Sequence, residues 1–218
     1  MKAFVITIQD NERSVQVANR CIKSAKLFGV SVEQWKATTP KNNPVARLVE
    51  ENVKISGLHE TYSRINNCAA AFHSHFSLWK HCIKLNEQIM ILEHDAIFIN
   101  QIPERLNFNK CISLGHPSYG KWNQATKLGV SPLFSKRYFP GAHGYIVKPS
   151  ACREFIKHAT TILAKPTDVF LNINSFPWLE EYYPWPVKAD DNFTTIQNEA
   201  GCYAKHNYGE TYDIEQVR

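Results

Sequence analysis

The chain has 218 residues, of which 44% are hydrophobic, 12% aromatic and 21% charged, with a formal net charge of +5. That length and composition suit one packed domain and exclude the disordered, collagenous and coiled-coil classes. No apolar run approaches the roughly 18 residues of a membrane-spanning helix, and Met1-Lys2 passes directly into AFVITI without a secretory h-region, so a cytoplasmic, unexported protein is expected.

The run KAFVITIQ, residues 2–9, is apolar and rich in β-formers. Asp10-Asn11 supplies a turn or helix cap, after which Val15, Ala18, Cys21, Ile22, Ala25 and Phe28 recur at helical spacing up to Gly29. Val30 to Ala37 reads as a second strand, so a β-α-β unit opens the chain and predicts parallel pairing through a right-handed crossover. Pro40-Lys41-Asn42-Asn43-Pro44 breaks that strand before a short helix over about 45–51. Over about 67–85, Ala70, His73, Phe76, Cys82 and Ile83 share one 3.6-period stripe, which predicts a long core-facing helix ended by Asn86-Glu87.

QIMILEHDAIFIN, residues 88–100, then reads as one strand that is apolar except at Glu93, His94 and Asp95. KCISLG (110–115) and GAHGYIV (141–147) are further strands, the second placing His143 between two glycines, where close backbone approach to a ligand is feasible. Residues 116–139 form a long Gly-, Pro-, Ser- and aromatic-rich loop of the kind that carries function. Ser150 is expected to cap a helix running to about Leu163. PWLEEYYPWPVKADD (177–191) is expected to wrap the surface as coil with one short strand, its Trp and Tyr residues forming either a core lid or a sugar platform.

Cys21, Cys68, Cys82, Cys111, Cys152 and Cys202 include no C-x-x-C pair, which speaks for buried, reduced thiols over a zinc knuckle, a redox dithiol or a disulfide scaffold. Charge is uneven: residues 105–153 hold eight basic side chains and no acidic one, namely Arg105, Lys110, Lys121, Lys127, Lys136, Arg137, Lys148 and Arg153. Either an anionic partner approaches this stretch, or its cations form a solvated face whose acids come from other segments.

On a strand, Glu93 and Asp95 leave one face and His94 the other. Two carboxylates at a strand's carboxyl end repel unless a cation or hydrogen-bonded ligand compensates, and ligands of open α/β sheets bind at that edge. Mn²⁺ or Mg²⁺ suits such oxygen ligands and bridges to phosphate oxygens.

Residues 67–100 resemble glycosyltransferase family 25, the group containing lipopolysaccharide- and collagen-modifying sugar transferases. The likeness rests on Ser74-His75 before Ser77-Leu78-Trp79, a helix, and an I-L-E-x-D-A strand end. The opening VITI strand with Arg13 after its polar turn, the run Gly141-Ala142-His143-Gly144-Tyr145, and Asp168 in Pro-Thr-Asp-Val-Phe-Leu fit as well. His94 departs from the family, where the middle of the triplet is commonly acidic, as does Ala70-Ala71, where a Gly-Cys pair often stands.

The resemblance implies a single-domain α/β protein with a GT-A-like, open Rossmann-type mixed sheet flanked by helices. Residues to about 100 would bind a nucleotide-sugar, usually a UDP-sugar, and about 101–218 the acceptor. It implies a divalent cation at Asp95, with Glu93 near the ribose or the metal's water shell. Thr7, Ile8, Gln9 and Arg13 would border the donor. Ser74 and His75 either order the donor site or, for His75, form a satisfied core histidine. Asp168 is either the base for the acceptor hydroxyl in an inverting reaction or a helix cap. Asp190-Asp191-Asn192 is either a solvated turn or a further contact.

His143, Lys121, Trp122, Lys136 and Arg137 are the candidate acceptor contacts. The acceptor is either a glycan such as a lipopolysaccharide-type oligosaccharide or a hydroxymethylated DNA base, since interleaved cations and aromatics also suit nucleic acid. A non-catalytic nucleotide-sugar or glycan-binding protein and a metal-dependent hydrolase using Glu93, His94 and Asp95 are the competing classes.

Overall fold

The computed structural model describes residues 1–59, 64–118, 120–139 and 141–189, so Cys202 and the Asp190-Asp191-Asn192 run lie outside the described residues. A seven-stranded mixed sheet flanked by helices forms one domain. Its order is β2-β1-β3-β7-β5-β8-β6, where β1 is Lys2–Thr7, β2 Val32–Lys36, β3 Ile89–Glu93, β5 Cys111–Ser113, β6 Gly129–Pro132, β7 Gly144–Val147 and β8 Leu179–Tyr183. β1 pairs in parallel with both β2 and β3, and β7 runs antiparallel between β3 and β5. A separate two-stranded ladder joins β4 (Ile97–Phe98) to β9 (Val187–Lys188).

The opening β-α-β unit forms as its periodicity predicts. The Asn11 side chain accepts from Ser14 N to start helix α1 (Glu12–Leu27), and Gly29, at φ +74°, takes the left-handed position that ends it. β1 is buried on both faces: Phe4 and Ile6 join one core cluster, Ala3 and Val5 the other. α1 covers the second face through Ala18, Cys21 and Ala25. The first face is covered by α3 (Ile65–Leu85), α4 (Pro149–Thr161) and the short α5 (Thr167–Phe170). α2 (Pro44–Glu50) starts with a proline in its first turn, and α3 ends at Asn86 in the left-handed conformation.

Five predicted elements differ. The run 88–100 is not one strand: β3 stops at Glu93, His94-Asp95 turn, Ala96 N–H donates to Glu93 O at 3.1 Å, and β4 pairs in the second sheet. Three consecutive polar residues cannot remain in a doubly buried strand, so the chain turns where they occur. β7 begins at Gly144 rather than Gly141, because Gly141 and Ala142 carry positive φ (109° and 50°), and His143 therefore precedes the strand. α4 begins at Pro149 with Lys148 at the cap position, not Ser150, since proline's fixed φ and missing N–H suit the first helical position. The stretch 116–139 contains edge strand β6, and residues 177–189 contain two strands, not one. Both β6 and β9 are too short for alternation to reveal.

Trp79 sits at the centre of the α3 side, fully buried, with Phe155 at 5.1 Å and Phe72 and Phe170 each at 5.6 Å between ring centroids. Trp79→Ala is expected to lower unfolding free energy by about 3–5 kcal/mol, measured by urea denaturation. A cost below about 1 kcal/mol would show that this aromatic cluster is not the structural centre.

Candidate active site at the carboxyl edge of the sheet

The carboxyl ends of β1, β2, β3, β5 and β8 share one edge with the start of β7, as the register Leu92↔Gly144 requires. The loop after β1 is fixed by backbone bonds and by the Ser14 hydroxyl. Ala37 N–H donates to Thr7 O at 2.9 Å, Ile8 N–H to Ser14 Oγ at 2.9 Å, and Asn11 N–H to Ile8 O at 3.0 Å. Gln9 and Arg13 are exposed around that loop.

Glu93 is the last residue of β3. Its amide donates to His143 O at 3.1 Å, and its Oε1 lies 3.2 Å from His75 Nε2. Burial, then repulsion from Asp95 and Asp168, raises its carboxyl well above the usual range. Asp95, two residues on, and Asp168, from a distant part of the chain, are therefore both close enough to Glu93 to repel it. Asp95 lies in the turn after β3, and Arg20 Nη2 donates to its carbonyl oxygen at 3.0 Å. Asp168 stands in the first turn of α5, where its Oδ1 accepts from Val169 N–H at 2.9 Å. It is thus a local acceptor for the helix without being its cap residue, which is Pro166.

His94, expected to point away from the acids on a strand, instead belongs to the turn. Its Nδ1 is 2.6 Å from Ser14 Oγ, so the hydroxyl that accepts from Ile8 N–H also reaches the acidic turn. Ser14 thereby couples the loop after β1 to the turn after β3.

Ser74 and His75 are both buried on α3. Ser74 Oγ accepts from Thr38 N–H at 2.9 Å and donates to Ala70 O at 2.8 Å, which fixes the segment after β2. His73 Nδ1 lies 2.7 Å from Thr38 Oγ1 and supports the same segment. His75 faces Glu93 on one side and, through Nδ1, the Tyr145 hydroxyl at 2.9 Å on the other. Burial lowers its pKa to about 3, so it is neutral.

His143 is buried with its ring between two glycines. A Cβ at Gly115 would stand 2.5 Å from His143 Nε2, and one at Gly141 2.6 Å from Nδ1. These glycines make room for the imidazole.

Lys121 and Trp122 are exposed, Trp122 at 41%, with its ring centroid 5.6 Å from that of His116. The Lys136 ammonium lies 4.9 Å from the Tyr138 ring centroid and over Gly120, and Arg137 Nη2 donates to Asn174 Oδ1 at 2.7 Å. Phe139 N–H donates to Leu171 O and Ile173 N–H to Arg137 O, tying this loop to the segment that carries Asp168.

The acid-free stretch does not form a single patch. Lys110 pairs with Glu154 at 2.6 Å, and Lys148 Nζ donates to Phe108 O at 2.6 Å. Both flank the Cys111↔Val147 pairing, at the opposite edge of the sheet. Trp178 packs in the core against Phe155 and donates to Glu154, while Trp185 is buried against His116 and Tyr183.

Sequence reasoning missed Ser14, Arg20, Trp79 as a hydrogen-bond donor, and Tyr145. Tyr145 stood in the run that carried the resemblance, but only pairing of β7 beside β3 brings it to His75.

An open mixed sheet with converging carboxylates at its carboxyl rim defines a ligand-binding α/β protein. The family model described as glycosyltransferase family 25 (LPS biosynthesis protein) matches residues 1–130, more than half of the chain. The protein belongs to that family and is a glycosyltransferase of its type. The matched region contains Glu93 and Asp95 and ends before His143 and Asp168. No curated protein matches the chain in a sequence search.

Two outcomes are expected. Because the folded state holds the Glu93 proton more tightly than the unfolded chain, stability falls as pH rises from the ordinary carboxylate pKa through the raised folded value. With divalent cations chelated, Glu93→Gln should melt above the wild type near pH 8, the gap closing toward about pH 3, below the ordinary carboxylate pKa, where the carboxyl is protonated in both states. A lower melting temperature for the variant at pH 8 would contradict the strain.

Gly115→Ala should destabilise by about 1–3 kcal/mol through overpacking, and a His143→Ala background should remove most of that loss. Additive losses in the double variant would show that the ring is not the obstacle.

Proposed function

We propose that the protein moves a sugar from a UDP-sugar to a hydroxyl of a glycan acceptor, such as a lipopolysaccharide-type oligosaccharide, in a metal-dependent, inverting reaction. The observation that carries this reading is the meeting of Glu93, Asp95 and Asp168 at the carboxyl edge of the sheet in a chain of this family. Residues to about 100 form the donor half and the following ones the acceptor half in this reading.

Among the described residues, no group of three or more His, Cys, Asp or Glu side chains is gathered to hold a metal unaided. A Mg²⁺- or Mn²⁺-type ion needs only one or two carboxylates when water and substrate phosphates complete its shell, and repelling carboxylates are the donor set it neutralises. Asp95 would hold it, with Glu93 beside its water shell. When bound, the cation would offset the charge that develops on the departing diphosphate.

The chain's own residues do the rest. Ile8 and Gln9 border the nucleotide just past β1, behind them the buried Thr7 that ends the strand, with Arg13 on the first turn of α1. Asp168 accepts the proton of the attacking hydroxyl; its half-buried place beside two other acids favours that role. Trp122, Lys121, Lys136 and Arg137 offer an aromatic face and cations to a sugar chain, with His143 beneath them. A glycan is favoured over DNA because Lys110 and Lys148 are engaged at the far edge, which interrupts a phosphate-tracking stripe. The described residues include no helix long and apolar enough to cross a membrane.

The test follows UDP release and acceptor mass with Mn²⁺ and candidate UDP-sugars. Asp95→Ala should lower kcat/KM by about 100-fold or more, and Asp168→Asn should lower kcat by about 10²–10⁴-fold with donor KM little changed. Equal, low release by the wild type and Asp95→Ala would favour a binding protein, and hydrolysis without any acceptor product a hydrolase. DNA binding that weakens steeply with salt would move the acceptor to nucleic acid.

A further inference from the structure

We propose that Trp79 and Tyr145 lock His75 as the Nε2-protonated tautomer, making it a positioning residue that holds Glu93 through Oε1 and leaves Oε2 to the ligand. The role of Glu93 in donor or cation binding rests on the function proposed above; the tautomer does not.

One group in this chain of side chains has no choice of role. The Trp79 indole N–H is a donor only, and it points to the Tyr145 hydroxyl oxygen at 3.0 Å. That bond occupies the phenol as an acceptor and leaves its single proton to be given elsewhere. Its other hydrogen-bonding neighbour is His75 Nδ1 at 2.9 Å, with the two rings 5.8 Å apart and 16° from parallel. Both rings are buried, so the phenol proton must find its partner inside the fold. Tyr145 therefore donates to Nδ1, which must be unprotonated.

A neutral imidazole with a bare Nδ1 carries its proton on Nε2. Nε2 lies 3.2 Å from Glu93 Oε1, which must accept. The reverse tautomer would make Tyr145 accept from both rings and leave its own buried proton without a partner, a loss proteins rarely tolerate. Directions thus run one way, from Trp79 through Tyr145 and His75 to Glu93. The first three of these side chains are buried, at 0% exposure for Trp79 and Tyr145 and 1% for His75, so none of them contacts a ligand. The chain acts on the site only by fixing the orientation of one carboxyl group, as outer hydrogen bonds do for residues that bind metals or substrates.

Trp79 and His75 lie four residues apart on α3, and Tyr145 and Glu93 stand on the adjacent strands β7 and β3. The device is therefore built from the packing of one helix on two strands. It needs no loop to be ordered.

The experiment is a long-range ¹H–¹⁵N spectrum of the ligand-free wild type with ¹⁵N-histidine, assigned by loss of the His75 signals in His75→Gln. A bare Nδ1 and a protonated Nε2 are expected; a protonated Nδ1 or a doubly protonated ring overturns the assignment. Tyr145→Phe removes the lock. In that variant the His75 signals should show mixed tautomers, and kcat should fall about tenfold with donor KM within about threefold. His75→Gln, whose amide can both accept from Tyr145 and donate to Glu93, should retain more than a third of wild-type kcat.

If Tyr145→Phe loses melting temperature alone, with kcat and tautomer unchanged, the role is only structural and the proposal fails. A wild type with the expected tautomer but no sugar transfer refutes the proposed function and leaves the lock standing. Sugar transfer with a protonated Nδ1 does the opposite.

Discussion

Glu93 is an acid at the end of a buried strand, beside two other acids and partly withdrawn from water. Such an arrangement opposes folding, because charge is confined where solvent screens it weakly and like charges approach. It persists only because surrounding structure enforces it. Pairing of β3 between β1 and β7 fixes the Glu93 backbone, while His75, on α3, supplies a hydrogen bond from the core side. A strained cluster of this kind at a sheet's carboxyl edge is what ligand binding relieves, and it is where functional sites of open α/β folds lie.

The remainder of the rim is arranged around that cluster through a few polar side chains that each serve two segments. Ser14 holds the loop after β1 and touches His94 in the acidic turn. Ser74 holds the segment after β2 while bonding back to its own helix. The Gly115 and Gly141 contacts with His143 do the same sterically for the far side of the site. Glu181, fully buried on β8, accepts from the backbone amides of Phe134 and Ser135, each at 2.8 Å, and so fixes the base of the loop that carries Lys136 and Arg137. Hydrogen bonds and close packing of this kind hold these rim segments in place around the carboxylates, which favours preorganisation.

Much of this was legible locally. The alternation and helical spacing of the first 37 residues, the stop at Gly29 and the stripe on α3 follow from side-chain size and polarity, and those elements form where periodicity puts them. The acidic triplet announced itself as three polar residues in an apolar run, although its consequence, a turn rather than a continued strand, depends on β4 finding a partner almost ninety residues later. Strands β6 and β9 were not legible, because segments of four and two residues are fixed by their neighbours and not by their own pattern.

By itself the sequence determined the α/β class, the parallel opening unit, the family likeness and the place where acids interrupt a core strand, since each depends on residue type at short spacing. Tertiary structure alone decided that Asp168 comes within electrostatic reach of Glu93, that His94 binds α1 instead of facing away, and that a tryptophan and a tyrosine stand behind His75. It also divided a contiguous basic stretch between opposite edges of the sheet. The reason is that pairing of distant strands, β1 beside β3 and β7 between β3 and β5, brings together side chains that no local spacing relates.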